Sequence, residues 1–124
     1  MKIRTLIVDD SLFTRKKLQD LLQEIPSIEI CGVAKNGEEA IDMAVELKPD
    51  FITLDNILPD MTGLQILRVL KDQLTATIFI MISAVGQQSA IKEATDLGAK
   101  HYFVKPLDPI AFKETLIEIL NSGR

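Results

Sequence analysis

Apolar residues recur along this chain in two alternating periods. Residues 2–8 contain Leu6-Ile7-Val8, a short β-type run closed by Asp9-Asp10. Helical spacing follows, with Leu12, Leu18, Leu21, Leu22 and Ile25 on the expected apolar stripe and Pro26 as its stop. Residues 28–34 alternate weakly and read as a second strand. Asn36-Gly37-Glu38-Glu39 sets a capping residue three positions before a glutamate, the pattern of a capping box. The helix it opens carries Ile41, Ala44, Val45 and Leu47, and Pro49-Asp50 breaks it. Phe51-Ile52-Thr53-Leu54 predicts a third strand that ends at Asp55. Pro59 and Gly63 mark a loop, followed by a helix with Leu64, Leu67 and Leu70 on one face. Residues 78–82 are five apolar residues in succession, the mark of a strand covered on both faces, and Ser83 closes them. A helix over 90–97 ends at Gly98, which suits the left-handed position just past a helix. The last strand, residues 101–104, is closed by Lys105-Pro106, and Asp108-Pro109 caps a final helix carrying Ile110, Leu116, Ile117 and Leu120.

Five strand–helix units in strict alternation, joined by short connections, predict an α/β fold with a parallel sheet and helices on both faces. Five strands are too few to close an eight-stranded barrel, so the sheet is open and doubly wound. Strands one, three and four are the most apolar and therefore central, which favours the flavodoxin-like order 2-1-3-4-5 with five helices. With 124 residues there is no room for a second domain, and residues 1–124 read as one unit.

Composition narrows the picture. Apolar residues make up 47% of the chain and charged residues 26%, which excludes a disordered polar chain. Cys31 is the only cysteine, so no internal disulfide forms, and it reads as a small buried hydrophobe. The net charge of −4 argues against direct binding of nucleic acid, whose modules carry basic patches. No long apolar stretch resembles a secretory leader or a membrane span, so the expectation is a soluble, cytoplasmic protein with no membrane insertion.

The reactive side chains fall at strand ends: Asp9 and Asp10 after the first, Asp55 after the third, Ser83 after the fourth and Lys105 after the fifth. Open α/β sheets bind ligands beyond the carboxyl ends of their strands, at the point where strand order reverses. Three carboxylates gathered there repel one another unless a cation stands among them. Oxygen donors without histidine or a second cysteine suit Mg²⁺ rather than Zn²⁺, and Mg²⁺ readily shares its shell with a phosphate. Asp55, at the end of a central strand, is then a candidate nucleophile toward phosphorus, with Lys105 as a point charge and Ser83 as a hydroxyl donor for phosphoryl oxygens.

In sequence, Leu6-Ile7-Val8-Asp9-Asp10-Ser11, Leu54-Asp55-Asn56-Ile57-Leu58-Pro59-Asp60-Met61-Thr62-Gly63, Ile82-Ser83-Ala84, Gly98-Ala99-Lys100 and Val104-Lys105-Pro106 follow one another over essentially the whole chain. The set resembles a two-component receiver, the response-regulator domain, and the stretch from Ser83 to Gln88 is similar to chemotaxis receivers of the CheY type. That resemblance implies Asp55 as phosphoacceptor and a histidine kinase as donor. It implies Asp10, Asp55 and the main-chain carbonyl of Ile57 as Mg²⁺ ligands, with Asp9 acting partly through water. It also implies a Ser83 hydroxyl that moves toward the phosphoryl group, a Lys105 that pairs with it, and a cis peptide bond before Pro106. Tyr102 falls at the aromatic switch position. On phosphorylation it would turn inward and alter the face of the fourth helix, fifth strand and fifth helix that a downstream protein reads. Ile57 and Ser83 depart from chemotaxis receivers, where a polar residue and a threonine are frequent.

Other readings of the same residues are a solvated loop acid at Asp55, helix-capping aspartates at Asp9 and Asp10, and a static strand aromatic at Tyr102. His101 reads as a surface residue, and Arg15-Lys16-Lys17 as a solvated helix face beside the acidic rim that could also dock a kinase. The expected function is a stand-alone phosphorylation switch that catalyses only its own phosphorylation and dephosphorylation. The alternative is a receiver cut from a larger regulator, since residues 121–124 end just past the fifth helix. A flavin carrier of this architecture would need a phosphate loop where two aspartates stand. A phosphatase turning over an aspartyl intermediate would carry a second acid where Ile57 stands.

Overall fold

The computed structural model describes residues 2–122; the ends of the expected 1–124 unit, residue 1 and residues 123–124, lie outside the described residues. The elements alternate as β1 (Ile3–Val8), α1 (Leu12–Gln23), β2 (Ile28–Ala34), α2 (Gly37–Leu47), β3 (Phe51–Leu54), α3 (Gly63–Leu70), β4 (Ile78–Ser83), α4 (Gln88–Asp96), β5 (His101–Val104) and α5 (Pro109–Ser122). All strand pairs are parallel and the order is β2-β1-β3-β4-β5, as the apolar content of the strands predicts. The direction of strand order reverses at β1, so the tips of β1 and β3 flank the crevice where the two halves of the sheet diverge.

Side chains alternate across the sheet and build two apolar layers. On one face Ile7, Phe51 and Ile80 pack beneath Leu18, Leu22, Phe112 and Leu116 from α1 and α5. On the other Leu6, Ile52, Leu54 and Met81 pack beneath Ala40, Ala44, Leu67 and Ala94 from α2, α3 and α4. The central strands β3 and β4 are buried along their whole length, which is why their sequence does not alternate.

Several stripe residues sit elsewhere than the spacing suggests. Leu12 is exposed because it stands six positions before Leu18, which turns it well off the stripe formed by Leu18, Leu21 and Leu22. In α5 the buried stripe is Phe112, Leu116 and Leu120, at intervals of four, and Ile110 and Ile117 face outward. Val45 is likewise exposed. Cys31 is half-buried rather than buried: β2 is an edge strand, and the register with β1 skips Cys31, so a bulge lifts it from the layer. Asn36 caps α2 through the Glu39 amide at 2.8 Å, but the Glu39 carboxylate reaches past the Asn36 amide to that of Lys35, so the box does not close. A complete capping box stands at α3, between Thr62 and Gln65. Gly98 has φ +107°, the positive value expected of it after α4.

Candidate functional site

Backbone hydrogen bonds continue past the strand ends and fix the tips relative to one another. The Asp9 amide donates to Ala34 at 3.1 Å, the Asp55 amide to Val8 at 3.0 Å, and the Lys105 amide to Ser83 at 2.9 Å. Residues as distant in sequence as Asp9 and Lys105 are thereby held on one rim. Carboxylate oxygens of Asp9, Asp10 and Asp55 lie within 4.8 Å of one another, so this cluster could hold a metal ion. Asp9 is 1% exposed and Asp55 6%, whereas Asp10 is open to solvent.

The cation that the acids require is partly built in. Lys105 Nζ donates to Asp9 Oδ2 at 2.8 Å and to Asp55 Oδ2 at 3.1 Å, with its side chain 21% exposed. Burial pushes the Asp9 carboxyl above its ordinary range, against the lowering pull of Lys105 and the Ser11 amide. Burial also disfavours the Lys105 ammonium, but its bonds to Asp9 and Asp55 outweigh this and hold it above the usual lysine range. No ion pair engages Asp10 among the described residues. Three carboxylates thus face one ammonium. Oxygen-only donors with surplus negative charge fit a hard divalent cation.

The flanking loops complete the geometry. Ser11, rather than either aspartate, caps α1 by accepting from the Thr14 amide at 3.2 Å, which leaves Asp9 and Asp10 to the site. The Asp9 carboxylate accepts from the Ser11 amide at 2.9 Å, and the Ile57 amide donates to Asp55 Oδ1 at 3.1 Å. The Ile57 side chain is exposed beside the buried Asp55. Ser83 is fully buried, and its Oγ accepts from the Val85 amide at 3.2 Å, while the Tyr102 hydroxyl donates to the Val85 carbonyl. Val85 is therefore held from both sides by the two expected switch residues. Tyr102 is already half-buried against the α2–α4 layer, so the expected inward swing has less distance to cover, and burial pushes its hydroxyl above the ordinary tyrosine range. The Lys105-Pro106 peptide bond is cis. His101 is exposed, with its ring against Phe103.

Four contributors escape sequence reasoning. Arg15 is half-buried and donates to the Asp9 carbonyl at 2.8 Å, so the basic run divides into one anchored residue and two exposed lysines. Asn56 is buried; its carbonyl accepts from the Gly63 amide at 3.0 Å and its side chain from the Leu64 amide at 3.2 Å. Gly63 packs so closely that a Cβ there would stand 2.3 Å from the Asp55 carbonyl oxygen. Asp60 accepts from two amides of α2. Only Gly63 gave a signal, as a glycine in a loop that must admit close approach.

This rim of acids and one lysine, on a five-stranded doubly wound sheet, is the architecture of a phosphorylation-dependent receiver. The chain belongs to the response regulator receiver domain family, whose family model matches residues 5–117, and it is a receiver of two-component signalling. It is 40% identical over 117 residues to the chemotaxis protein CheY of Thermotoga maritima, covering 94% of this chain and 96% of that protein. It is 43% identical over 123 residues to a protein-glutamate methylesterase/protein-glutamine glutaminase of Carboxydothermus hydrogenoformans. That match covers 96% of this chain but only 34% of the methylesterase, so the chain spans about a third of its length. The CheY chain in a CheX-CheY-BeF₃-Mg²⁺ complex from Borrelia burgdorferi superposes with TM-score 0.89 and 32% identity, over 95% of this chain and 89% of that one. No helix among the described residues is long and apolar enough to cross a membrane.

Proposed function

We propose that Asp55 is the phosphoacceptor of a signalling switch and that a partner histidine kinase supplies the phosphoryl group. The observation that carries this reading is the single ammonium of Lys105 shared between Asp9 and Asp55, with Asp10 beside them. Asp9, Asp10, Asp55 and the Ile57 carbonyl would hold Mg²⁺. Bound there, Mg²⁺ supplies neutralisation of the charge that gathers on phosphoryl oxygens. The complex of the CheY from Borrelia burgdorferi with Mg²⁺ and beryllofluoride supports the choice of ion.

An Asp55 oxygen attacks phosphorus, the phosphorus–nitrogen bond of the donor's phosphohistidine breaks, and the imidazole leaves with the electron pair and takes up a proton. Lys105 moves from the carboxylates to a phosphoryl oxygen. The Ser83 hydroxyl turns to donate to another, which releases the Val85 amide. Tyr102, bonded to the other end of Val85, then changes position with it. A groove of about 360 Å³ walled by Phe13, Lys17, Ala84, Pro106 and Leu107 opens next to Lys105 and suits the approach of the donor. Val104, Ile110 and Ile117 present exposed apolar surface on β5 and α5, where a downstream protein would read the change. Chemistry is confined to the chain's own phosphorylation and its reversal, and a cytoplasmic setting follows from a kinase donor.

Acetyl phosphate with Mg²⁺ tests the assignment by intact mass. The wild type gains one hydroxylamine-sensitive phosphoryl group and Asp55→Asn gains none; an Asp55→Asn chain labelled as fully as wild type sinks it. A second reading, favoured by the likeness to methylesterases three times as long, is a receiver that governs an attached output domain. The reading frame around the sequence separates it from a chain acting by binding alone.

A further inference from the structure

Asp60 stands in the loop between β3 and α3, and the proposed chemistry does not use it. Its carboxylate straddles the start of α2: Oδ1 accepts from the Gly37 amide at 2.8 Å and Oδ2 from the Glu38 amide at 3.0 Å. The first amides of a helix have no partner within the helix, and one side chain usually serves one of them. In α2 the work is divided. Asn36 takes the Glu39 amide locally, and a carboxylate from more than twenty residues away takes the two before it. The contact is close-fitting as well as polar, since a Cβ on Gly37 would stand 2.2 Å from the Met61 side chain.

The grip falls on the loop that carries the metal side of the site. Ile57, three residues before Asp60, donates its amide to Asp55 and pairs as an isolated bridge with Thr62, two residues after Asp60. The same end of α2 is tied to the rim a second time, because Ala34, just ahead of its cap, accepts from the Asp9 amide. Hydrogen bonds and short stretches of main chain therefore run in a ring from Asp9 to Ala34, through the head of α2 to Asp60, and back through Ile57 to Asp55, whose own amide returns to β1 at Val8. Among the described residues, Asp60 is the only side chain that hydrogen-bonds α2 to the loop, beside the apolar contact of Met61.

We propose that Asp60 is a positioning residue: by clamping the β3–α3 loop onto the first amides of α2, it holds the Ile57 main chain in place for the acidic site and sets that site's affinity for a divalent cation. This rests on the reading of Asp9, Asp10 and Asp55 as the cation site. Groups that only orient metal ligands change affinity by about 10–100-fold when lost, and an exposed clamp of this kind belongs at the lower end, about tenfold.

The test compares Asp60→Ala with Asn36→Ala, which removes a cap from the same helix without touching the loop. Two readouts are taken on each folded protein: amide hydrogen exchange at Ile57 and Mg²⁺ affinity by calorimetric titration. Asp60→Ala speeds exchange at Ile57 by about tenfold and weakens Mg²⁺ by a similar factor, whereas Asn36→Ala lowers the unfolding midpoint and leaves both readouts near wild type. Equal effects of the two variants on Ile57 would make Asp60 an ordinary helix cap and overturn the proposal. So would faster exchange at Ile57 with unchanged Mg²⁺ affinity. A wild-type protein without saturable Mg²⁺ binding would overturn the reading of the site itself, and the exchange comparison would still decide whether Asp60 holds the loop.

Discussion

Replacing Lys105 with methionine keeps most of the side-chain volume and removes the charge that Asp9 and Asp55 share. Two charge-assisted hydrogen bonds disappear, at 2.8 and 3.1 Å, and both acceptors are almost fully buried. Such bonds contribute roughly 1.5–3 kcal/mol each. Because a fifth of the lysine side chain meets water, the lower figure applies, and the loss is about 3 kcal/mol in a chelating buffer near pH 8. The loss depends on pH in a defined direction. Burial already raises the Asp9 carboxyl, and without the ammonium it rises further above its unfolded value. An acid raised in the folded state binds protons there in preference, so the variant gains stability as pH falls through that raised value. The gap to wild type therefore narrows as the pH falls from about 8 through that raised value. Saturating Mg²⁺ narrows it too, because the variant lacks the ammonium that competes with the ion and binds it more tightly; a tenfold difference in Kd narrows the gap by about 1.4 kcal/mol. Urea unfolding at three pH values, with and without Mg²⁺, measures all three effects. A gap below about 1 kcal/mol in chelator near pH 8, or one that widens as the pH falls, would refute the counterion role.

Three further predictions concern single side chains. Thr53 Oγ1 is buried without a partner between Ile7 and Ile80, so Thr53→Val stabilises the fold by about 1 kcal/mol, read as a higher unfolding midpoint; a loss of that size would contradict it. Gly63→Ala forces a methyl against the Asp55 carbonyl oxygen, which cannot yield without moving the site, and costs about 3 kcal/mol together with weaker Mg²⁺ binding; wild-type stability and affinity would show that the loop has slack. His101 is the one histidine, and partial desolvation of its ring, which lies against Phe103, holds it below its ordinary value of 6.5. The unfolded chain then takes up protons first, so stability is full above pH 6.5 and falls as the pH drops toward the folded value. In His101→Gln that part of the urea-midpoint profile flattens, and identical profiles would exclude the effect.

The parallel sheet, its order and the gathering of Asp9, Asp10, Asp55, Ser83 and Lys105 were legible because each strand ends in sharp punctuation. A buried apolar run that stops at a carboxylate or a lysine marks both an element and the place of a candidate site residue. Faces were less legible where apolar residues exceed what the core needs: Ile110 and Ile117 obey helical spacing, yet Phe112, Leu116 and Leu120 occupy the layer. Cys31 came out half-buried because sequence does not announce which strand forms an edge or where a bulge falls. The contacts of Asp60 and Arg15 were invisible for a different reason. Their partners are main-chain amides and carbonyls, which every residue carries, so no side-chain pattern points to them.

The acids of the rim were expected to await an external cation, and the structure adds an internal one whose chemistry bears on switching. An ammonium on a flexible stem is a point charge with rotatable donors, so it can exchange acceptors without rebuilding its surroundings. On the proposed reading, a phosphoryl group on Asp55 takes over a lysine already in place. The free energy that favours the switched state is then a difference between two sets of ion pairs, not the full value of either. Such a difference is small enough for other contacts to move the populations, and a ligand can shift them only by its differential affinity for the two states. Val85 lies where that difference is transmitted, because its amide is held by the buried Ser83 and its carbonyl by the half-exposed Tyr102. A partner that grips Tyr102 would therefore bias Ser83, and with it the phosphoryl site, by the same amount that phosphorylation biases the partner's binding.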